Sequence, residues 1–281
     1  MSQSQFNFYK SFPTGFTCLD ENKRPMLCFF TMNTIWSNHY PCELDYDERR
    51  FNSSEQMYMW LRACHFKDFV AAETFLSLKN AMDVKKKSLE PDVVKGFNRL
   101  EWSNVKMEKM ALCLLVKFGQ IRSLNKALED STGLLEETSP KDNFWGSACT
   151  VFDICRQPKW RGQNCLGSML TQLREMLKSE WAIAIQDGTV LAQMMTLEAC
   201  AHELVRRTKL RMAETLSDCS ADLTPLSITS QPAPSVESAH STNSLSKSPP
   251  PSSSSSSPPP NPLTHTPRTD PVQNQIPPAS G

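Results

Sequence analysis

The sequence predicts an α+β domain, and three observations carry that prediction. Before about residue 52 the chain reads as short apolar runs separated by turns. From Ser53 onward apolar residues recur at helical spacing in one stretch after another. The strand–helix alternation of a doubly wound parallel sheet is missing.

Taken in order, Pro25-Met26-Leu27-Cys28-Phe29-Phe30 reads as a buried strand. Trp36-Ser37-Asn38-His39-Tyr40-Pro41 reads as a loop. Its Ser37 and Asn38 either line a pocket or make a turn that fixes two core aromatics. A helix is predicted from Ser53 or Ser54, with Ser53 capping backbone amides and Gln56 closing a capping box. Glu55 falls in its first turn, and Tyr58, Met59 and Arg62 follow at helical spacing. The positive helix end favours a charged Glu55, whereas a water-excluding pocket acts the other way. Read alone, Glu55 is a surface cap. Asp68 is expected to cap the next helix, with Phe69, Ala72, Phe75 and Leu76 as its apolar face. The stretch Val84 to Arg99 is basic and less regular, and Lys85-Lys86-Lys87 reads as a solvated run.

The clearest helix spans about residues 104 to 120, with Met107, Met110, Ala111, Leu114 and Phe118 as its buried stripe and Lys117 beside it, turned toward solvent. A short helix from near Ser123 uses Leu124, Ala127 and Leu128, and Thr132-Gly133 ends it. The stretch Glu136 to Gly146 reads as a non-helical connection dense in acids and aromatics. Its Asp142, Trp145 and Gly146 suit a pocket that holds a flat or sugar-like ligand beside a carboxylate; otherwise Asp142 organises a loop. Gly162, Asn164 and Gly167 introduce a last helix of the domain, with Asn164 as its cap and Leu166, Met169, Leu170, Leu173 and Leu177 facing inward.

Residues 1–180 are thus read as the domain and 181–220 as a helical extension. Val190, Met194, Leu197, Ala201 and Leu204 lie near helical spacing, and docking on the domain is favoured over an exposed apolar face. Residues 221–281 hold fourteen of the twenty prolines, no aromatic residue and the run Ser252 to Ser257. Such a segment buries too little apolar surface to offset its ordering entropy and is expected to be a disordered tail.

Thirty acidic and thirty basic side chains give zero net charge, so no basic excess points to general nucleic-acid binding. The polar start Met1-Ser2-Gln3-Ser4-Gln5 and the lack of a bilayer-length apolar run predict no membrane association and a cytoplasmic or nuclear location. The ten cysteines lie between Cys18 and Cys219 without a CxxC pair, as expected for buried free thiols in a reducing compartment. Zinc-type spacing is missing, and no metal or cofactor is expected.

A set of ordered motifs resembles the NADAR, or YbiA-like, family. They are Ser37-Asn38, Ser53-Ser54-Glu55, Arg62-Ala63 with Phe66 and Asp68, and Trp102 with Met110 and Lys117-Phe118. Thr132-Gly133, Glu137-Thr138-Ser139-Pro140, Asp142 and Trp145-Gly146 follow, then Trp160 to Gly162, Asn164, Leu166-Gly167 and Arg174. Each fragment is weak; their shared order over about residues 8 to 178 is a strong signature.

The resemblance implies an α+β domain that handles phosphoribosylated or ADP-ribosylated compounds. Relatives are described as N-glycosidases of early riboflavin-pathway intermediates, and others are linked to removal of ADP-ribose from nucleobases. ADP-ribosylated nucleic acid is therefore a candidate substrate beside small molecules. Glu55 and Asp142 carry over as catalytic acids, and Ser37, Asn38, Arg62, Trp102, Trp145 and Asn164 as substrate-binding residues. Glu137 and Lys117 carry over less securely.

The sequence also departs from the family pattern. His39 replaces an aromatic, Gln56 a common His and Arg62 a common Lys, and Ala148 stands where a second glycine often follows the Trp. The expected reaction is hydrolysis of a ribose–base bond, with one carboxylate orienting water and countering charge at the anomeric carbon. Two rival readings are a ribose-phosphate binding module without turnover and a scaffold whose tail, with Ser248-Pro249 and Thr266-Pro267, recruits a protein partner.

Overall fold

A computed structural model describes residues 3–20, 22–156, 161–179 and 190–221. The tail from residue 222, Trp160 and the start of the extension lie outside the described residues. Those described belong to one unit spanning Met1–Leu226.

The chain opens with α1 (Gln3–Lys10), which the sequence reading missed, then β1 (Phe16–Leu19) and β2 (Pro25–Phe29). β1 and β2 pair antiparallel, with Phe16 opposite Cys28 and Thr17 opposite Leu27. The expected strand at Pro25 is present, and Met26 to Phe29 are buried throughout, as the continuous apolar run required. A two-stranded ribbon, β3 (Leu44–Tyr46) and β4 (Arg49–Phe51), leads into α2 (Ser54–His65). The helices α3 (Phe69–Leu76), α4 (Ala81–Ser88), α5 (Arg99–Gln120) and α6 (Arg122–Asp130) follow. The chain then returns as β5 (Leu134–Glu137), which pairs parallel to β2 with Cys28 opposite Glu136 and Phe29 opposite Glu137. The order β1-β2-β5 makes a small mixed sheet. α7 (Val151–Arg156), α8 (Cys165–Leu177) and α9 (Val190–Ala221) complete the described chain.

The local signals explain most boundaries. The Ser53 hydroxyl accepts from the Gln56 amide (3.2 Å) and starts α2. Asp68 accepts from Ala71 (3.1 Å) and starts α3. The predicted capping box is displaced: Gln56 Oε1 takes the amide of Asn52 (2.7 Å), one residue earlier. Its Nε2 staples α2 to the end of α3 by donating to the carbonyls of Phe75, Leu76 and Leu78. α5 begins five residues before the predicted start because Asn98 Oδ1 caps the amides of Leu100 and Glu101. Leu100 is 76% exposed, so apolar periodicity carried no signal there.

α5 sits at the centre. Met110 to Phe118 are all buried, so this half of the helix has no solvent face. That geometry corrects the reading of Lys117, which is 0% exposed rather than turned outward. α9 packs on α5 and α8, and its Cys200, Ala201, Leu204 and Val205 join the main core. Asn164 adopts a left-handed backbone (φ 50°) before α8 and makes no side-chain cap, contrary to the expected capping role.

Candidate active site

Four segments converge on a cluster of acids and aromatics. The first is the 36–41 loop. Lys117 holds it from below, donating from Nζ to the carbonyls of Ile35 (2.6 Å) and Ser37 (2.8 Å). Burial pushes this amine down to about 8, against the opposing charge of Cys42. Ser37 is buried and its hydroxyl accepts from the His39 amide (3.1 Å). Asn38 donates from Nδ2 to the Met110 sulfur (3.0 Å), while its Oδ1 is buried without a protein hydrogen-bond partner. The Asn38 carbonyl accepts the Glu55 amide (2.9 Å), which locks the loop to the start of α2.

The second segment is α2. Glu55, Tyr58 and Arg62 fall at i, i+3 and i+7 and share a face. Glu55 is only 4% exposed, which overturns the surface-cap reading. Its Oε1 has no protein hydrogen-bond partner and stands 3.9 Å from His39 Nε2. Burial, then the charge of Glu55, pushes the Tyr58 hydroxyl well above its ordinary range. The Arg62 guanidinium lies 5.5 Å from the Phe97 ring centroid and 5.9 Å from that of Phe75, with a buried Nε that no protein atom accepts.

The third segment is β5 and the loop that leaves it. Strand alternation puts Glu136 and Glu137 on opposite faces. Glu137 is partly exposed as a residue, yet its Oε2 is buried without a protein partner. Burial, then the charges of Asp142 and Glu55, pushes its carboxyl up to about 8, with Lys85 opposing. The Asp142 Oδ1 accepts the amides of Phe144 (3.0 Å) and Trp145 (2.8 Å), so one carboxylate oxygen shapes the loop that carries the indole. Gly146 is required by close packing, since a Cβ there would stand 2.8 Å from the Ser139 side chain and 2.9 Å from the Glu137 carbonyl. Asn164 supports the strand from behind: its Oδ1 accepts the Glu137 amide (2.9 Å) and its Nδ2 donates to the Leu135 carbonyl (3.0 Å).

The fourth segment is the first half of α5. Trp102 packs against Tyr58 with ring centroids 5.4 Å apart, and Trp145 meets Tyr58 edge-on at 6.0 Å. Lys106 Nζ lies 3.0 Å from the Phe144 ring centroid. Burial lowers that amine, while the charges of Cys165 and Asp142 oppose the shift.

Glu55, Glu137 and Asp142 therefore form one electrostatically coupled acid cluster beside Tyr58, Trp102 and Trp145. Unpartnered buried polar atoms normally find water or a ligand. Here they include Asn38 Oδ1, Glu55 Oε1, Arg62 Nε and Glu137 Oε2, which gives the cluster the character of a binding site. Two open surface grooves of about 590 and 450 Å³ lie elsewhere. Their acids, Glu73 and Glu175, are 65% and 50% exposed at the side chain and pair with Arg49 and Arg174. Among the described residues no group of three or more His, Cys, Asp and Glu is placed to hold a metal ion. No helix among them is long and apolar enough to cross a membrane.

Sequence reading underweighted Glu137 and gave Tyr58 and Lys106 no place in a site. The signal for Glu137 was the run Leu134-Leu135-Glu136-Glu137, which puts an acid on each face of a buried strand.

Comparison with known proteins finds similar chains. Protein irg-1 of Caenorhabditis elegans is 29% identical over 175 residues, covering 56% of this chain and 82% of that protein. N-glycosidase R617 of Acanthamoeba polyphaga mimivirus is 29% identical over 126 residues, covering 44% of this chain and 72% of its own. The NMR structure of the Escherichia coli protein YbiA shares 21% identity with a TM-score of 0.46, covering 59% of this chain and 89% of that one. The NADAR domain matches residues 16–178, well over half of the 281 residues, and the chain belongs to the NADAR domain family.

Proposed function

We propose that this protein is an N-glycosidase that hydrolyses the ribose–base bond of a phosphoribosylated or ADP-ribosylated base compound. One observation carries the reading: Glu55 and Glu137 each hold a buried carboxylate oxygen that no protein atom partners, in one cluster beside Tyr58, Trp102 and Trp145. Glu137, raised to about 8, keeps its proton at neutral pH, while the charge of Glu55 contributes to that elevation. A carboxyl held protonated beside a second acid suits the proton donor of an acid–base pair. The resemblance to the viral N-glycosidase supports the reaction class.

In this mechanism the bond between the ribose anomeric carbon and the base nitrogen breaks, and its electron pair leaves with the base. Glu137 supplies the proton that the leaving nitrogen takes up. The Glu55 carboxylate counters the positive charge developing on the sugar and accepts a proton from the attacking water. Trp102 and Trp145 flank the base. Ser37 and Asn38 face the ribose, and Arg62 meets a phosphate through its fork of donors. Asp142 and Asn164 act through position, Asp142 by holding the Trp145 loop and Asn164 by fixing the Glu137 amide. Removal of the Glu55 carboxylate should abolish base release while leaving the fold intact. Normal turnover by Glu55→Gln would refute its role.

A specific observation favours a second reading, a ribose-phosphate binding module without turnover. Gln56 replaces the family's common His and is engaged as a staple between α2 and α3. Specific ligand binding without release of free base would decide for that reading.

A further inference from the structure

The face of β5 opposite Glu137 presents a different chemistry. Glu136 is fully buried there, and its charge bears on Cys18, Cys28, Cys149 and Cys155. Within this group Cys18 is hydrogen-bonded to both Cys28 and the exposed Cys155. Cys18 Sγ and Cys28 Sγ are 3.4 Å apart. The register pairs Cys18 with Met26 and Phe16 with Cys28, so the two cysteines are diagonal neighbours on one face of the β1–β2 pair. Both are free, Cys28 buried and Cys18 half-buried on the edge strand. A disulfide needs a separation of about 2.05 Å, so bridging this diagonal pair requires the sulfurs to close by about 1.4 Å with an accompanying adjustment of the two strands.

We propose that Cys18 and Cys28 form an oxidative modification site that takes a hydroperoxide as its oxidant. Cys18 is the attacking sulfur because it is the more accessible of the two. The hydrogen bond with Cys28 favours its ionised form, against burial and the charge of Glu136, whereas Cys28 is held protonated by that same bond and by burial. The Cys18 thiolate attacks one peroxide oxygen, the O–O bond breaks, and water or an alcohol leaves after taking up a proton. Cys18 is then a sulfenic acid. The Cys28 sulfur attacks it, the S–S bond forms, and the hydroxyl departs as water with the Cys28 proton. The two thiols supply the two electrons that reduce the peroxide. The crosslink ties the edge strand to β2, whose Phe29 stands in register with Glu137.

The test uses the full chain, reduced and then exposed to hydrogen peroxide near stoichiometric amounts. Free thiols are alkylated, and the protein is digested without reductant for peptide mass spectrometry. The expected product is a peptide pair joining Cys18 to Cys28, lighter by two hydrogens and restored by dithiothreitol. In Cys28→Ala the expected signal is a Cys18 sulfenic acid trapped by dimedone. In Cys18→Ser, a change at a half-buried position that tests the pairing if the first variant does not fold, Cys28 should stay reduced. Oxidation that begins at Cys42, Cys64 or Cys155 while Cys18 and Cys28 remain free would overturn the proposal, as would a Cys18–Cys155 bridge.

Discussion

Glu137→Gln is the perturbation that reads the acid cluster most quantitatively. Burial, with the charges of Asp142 and Glu55, pushes the native carboxyl up to about 8 from an ordinary value of 4.5. Between those values the native state holds a proton that the unfolded state has released, so stability falls as pH rises, by about 1.4 kcal/mol per unit. Over the interval of 8 − 4.5 = 3.5 units the loss amounts to about 5 kcal/mol, absent below 4.5 and complete above 8. Glutamine cannot titrate. Its amide, set where Oε2 has no protein partner, adds a cost of about 1–3 kcal/mol that does not change with pH. Urea denaturation of both proteins from pH 4.5 to 9 separates the two effects. The expected result is a stability difference that moves toward the variant by about 5 kcal/mol across the range. Glu55→Gln and Asp142→Asn should each shorten the pH range over which wild-type stability falls, because both charges raise the Glu137 carboxyl. Parallel stability curves for wild type and Glu137→Gln would refute the assignment of a raised, buried acid.

Other positions give independent checks. Lys117→Met removes the donor to the Ile35 and Ser37 carbonyls and should cost about 3 kcal/mol in urea denaturation, with turnover falling as the Asn38 loop loosens; unchanged stability would contradict the anchoring role. Ala148 holds a left-handed backbone at φ 55°, so Ala148→Gly should stabilise the fold by about 0.5–1 kcal/mol once the extra freedom of glycine in the unfolded chain is subtracted. A lower melting temperature for Ala148→Gly would show that the methyl group matters more than the backbone.

Where local chemistry carried the signal, the sequence was readable. Ser53 and Asp68 marked helix starts through side chains that cap the amide three residues on. The apolar stretch at Pro25 became β2 because both of its faces are covered. β5 escaped because a strand of four residues with two adjacent glutamates resembles a loop; its pairing with β2 spans the whole of α2 to α6 and has no local mark. Lys117 misled for a related reason. A lysine beside an apolar stripe usually reaches water, and only the wrapping of α5 by other elements turns it into a buried donor. Within the candidate site, Glu55 and Trp145 were legible as residue types in suggestive contexts. The work done by Asp142 and Asn164 on backbone amides appears only once the Trp145 loop and β5 are brought together.

Product-resolved hydrolysis by the purified full chain tests the central claim most directly. The panel comprises phosphoribosylamino-pyrimidines, NAD, ADP-ribose and ADP-ribosylated guanine, with Glu55→Gln as control. The account predicts free base from at least one ribose–base compound with the native protein, and none with Glu55→Gln. Base release that persists unchanged in Glu55→Gln, or ligand binding with no release by the native protein, would contradict it.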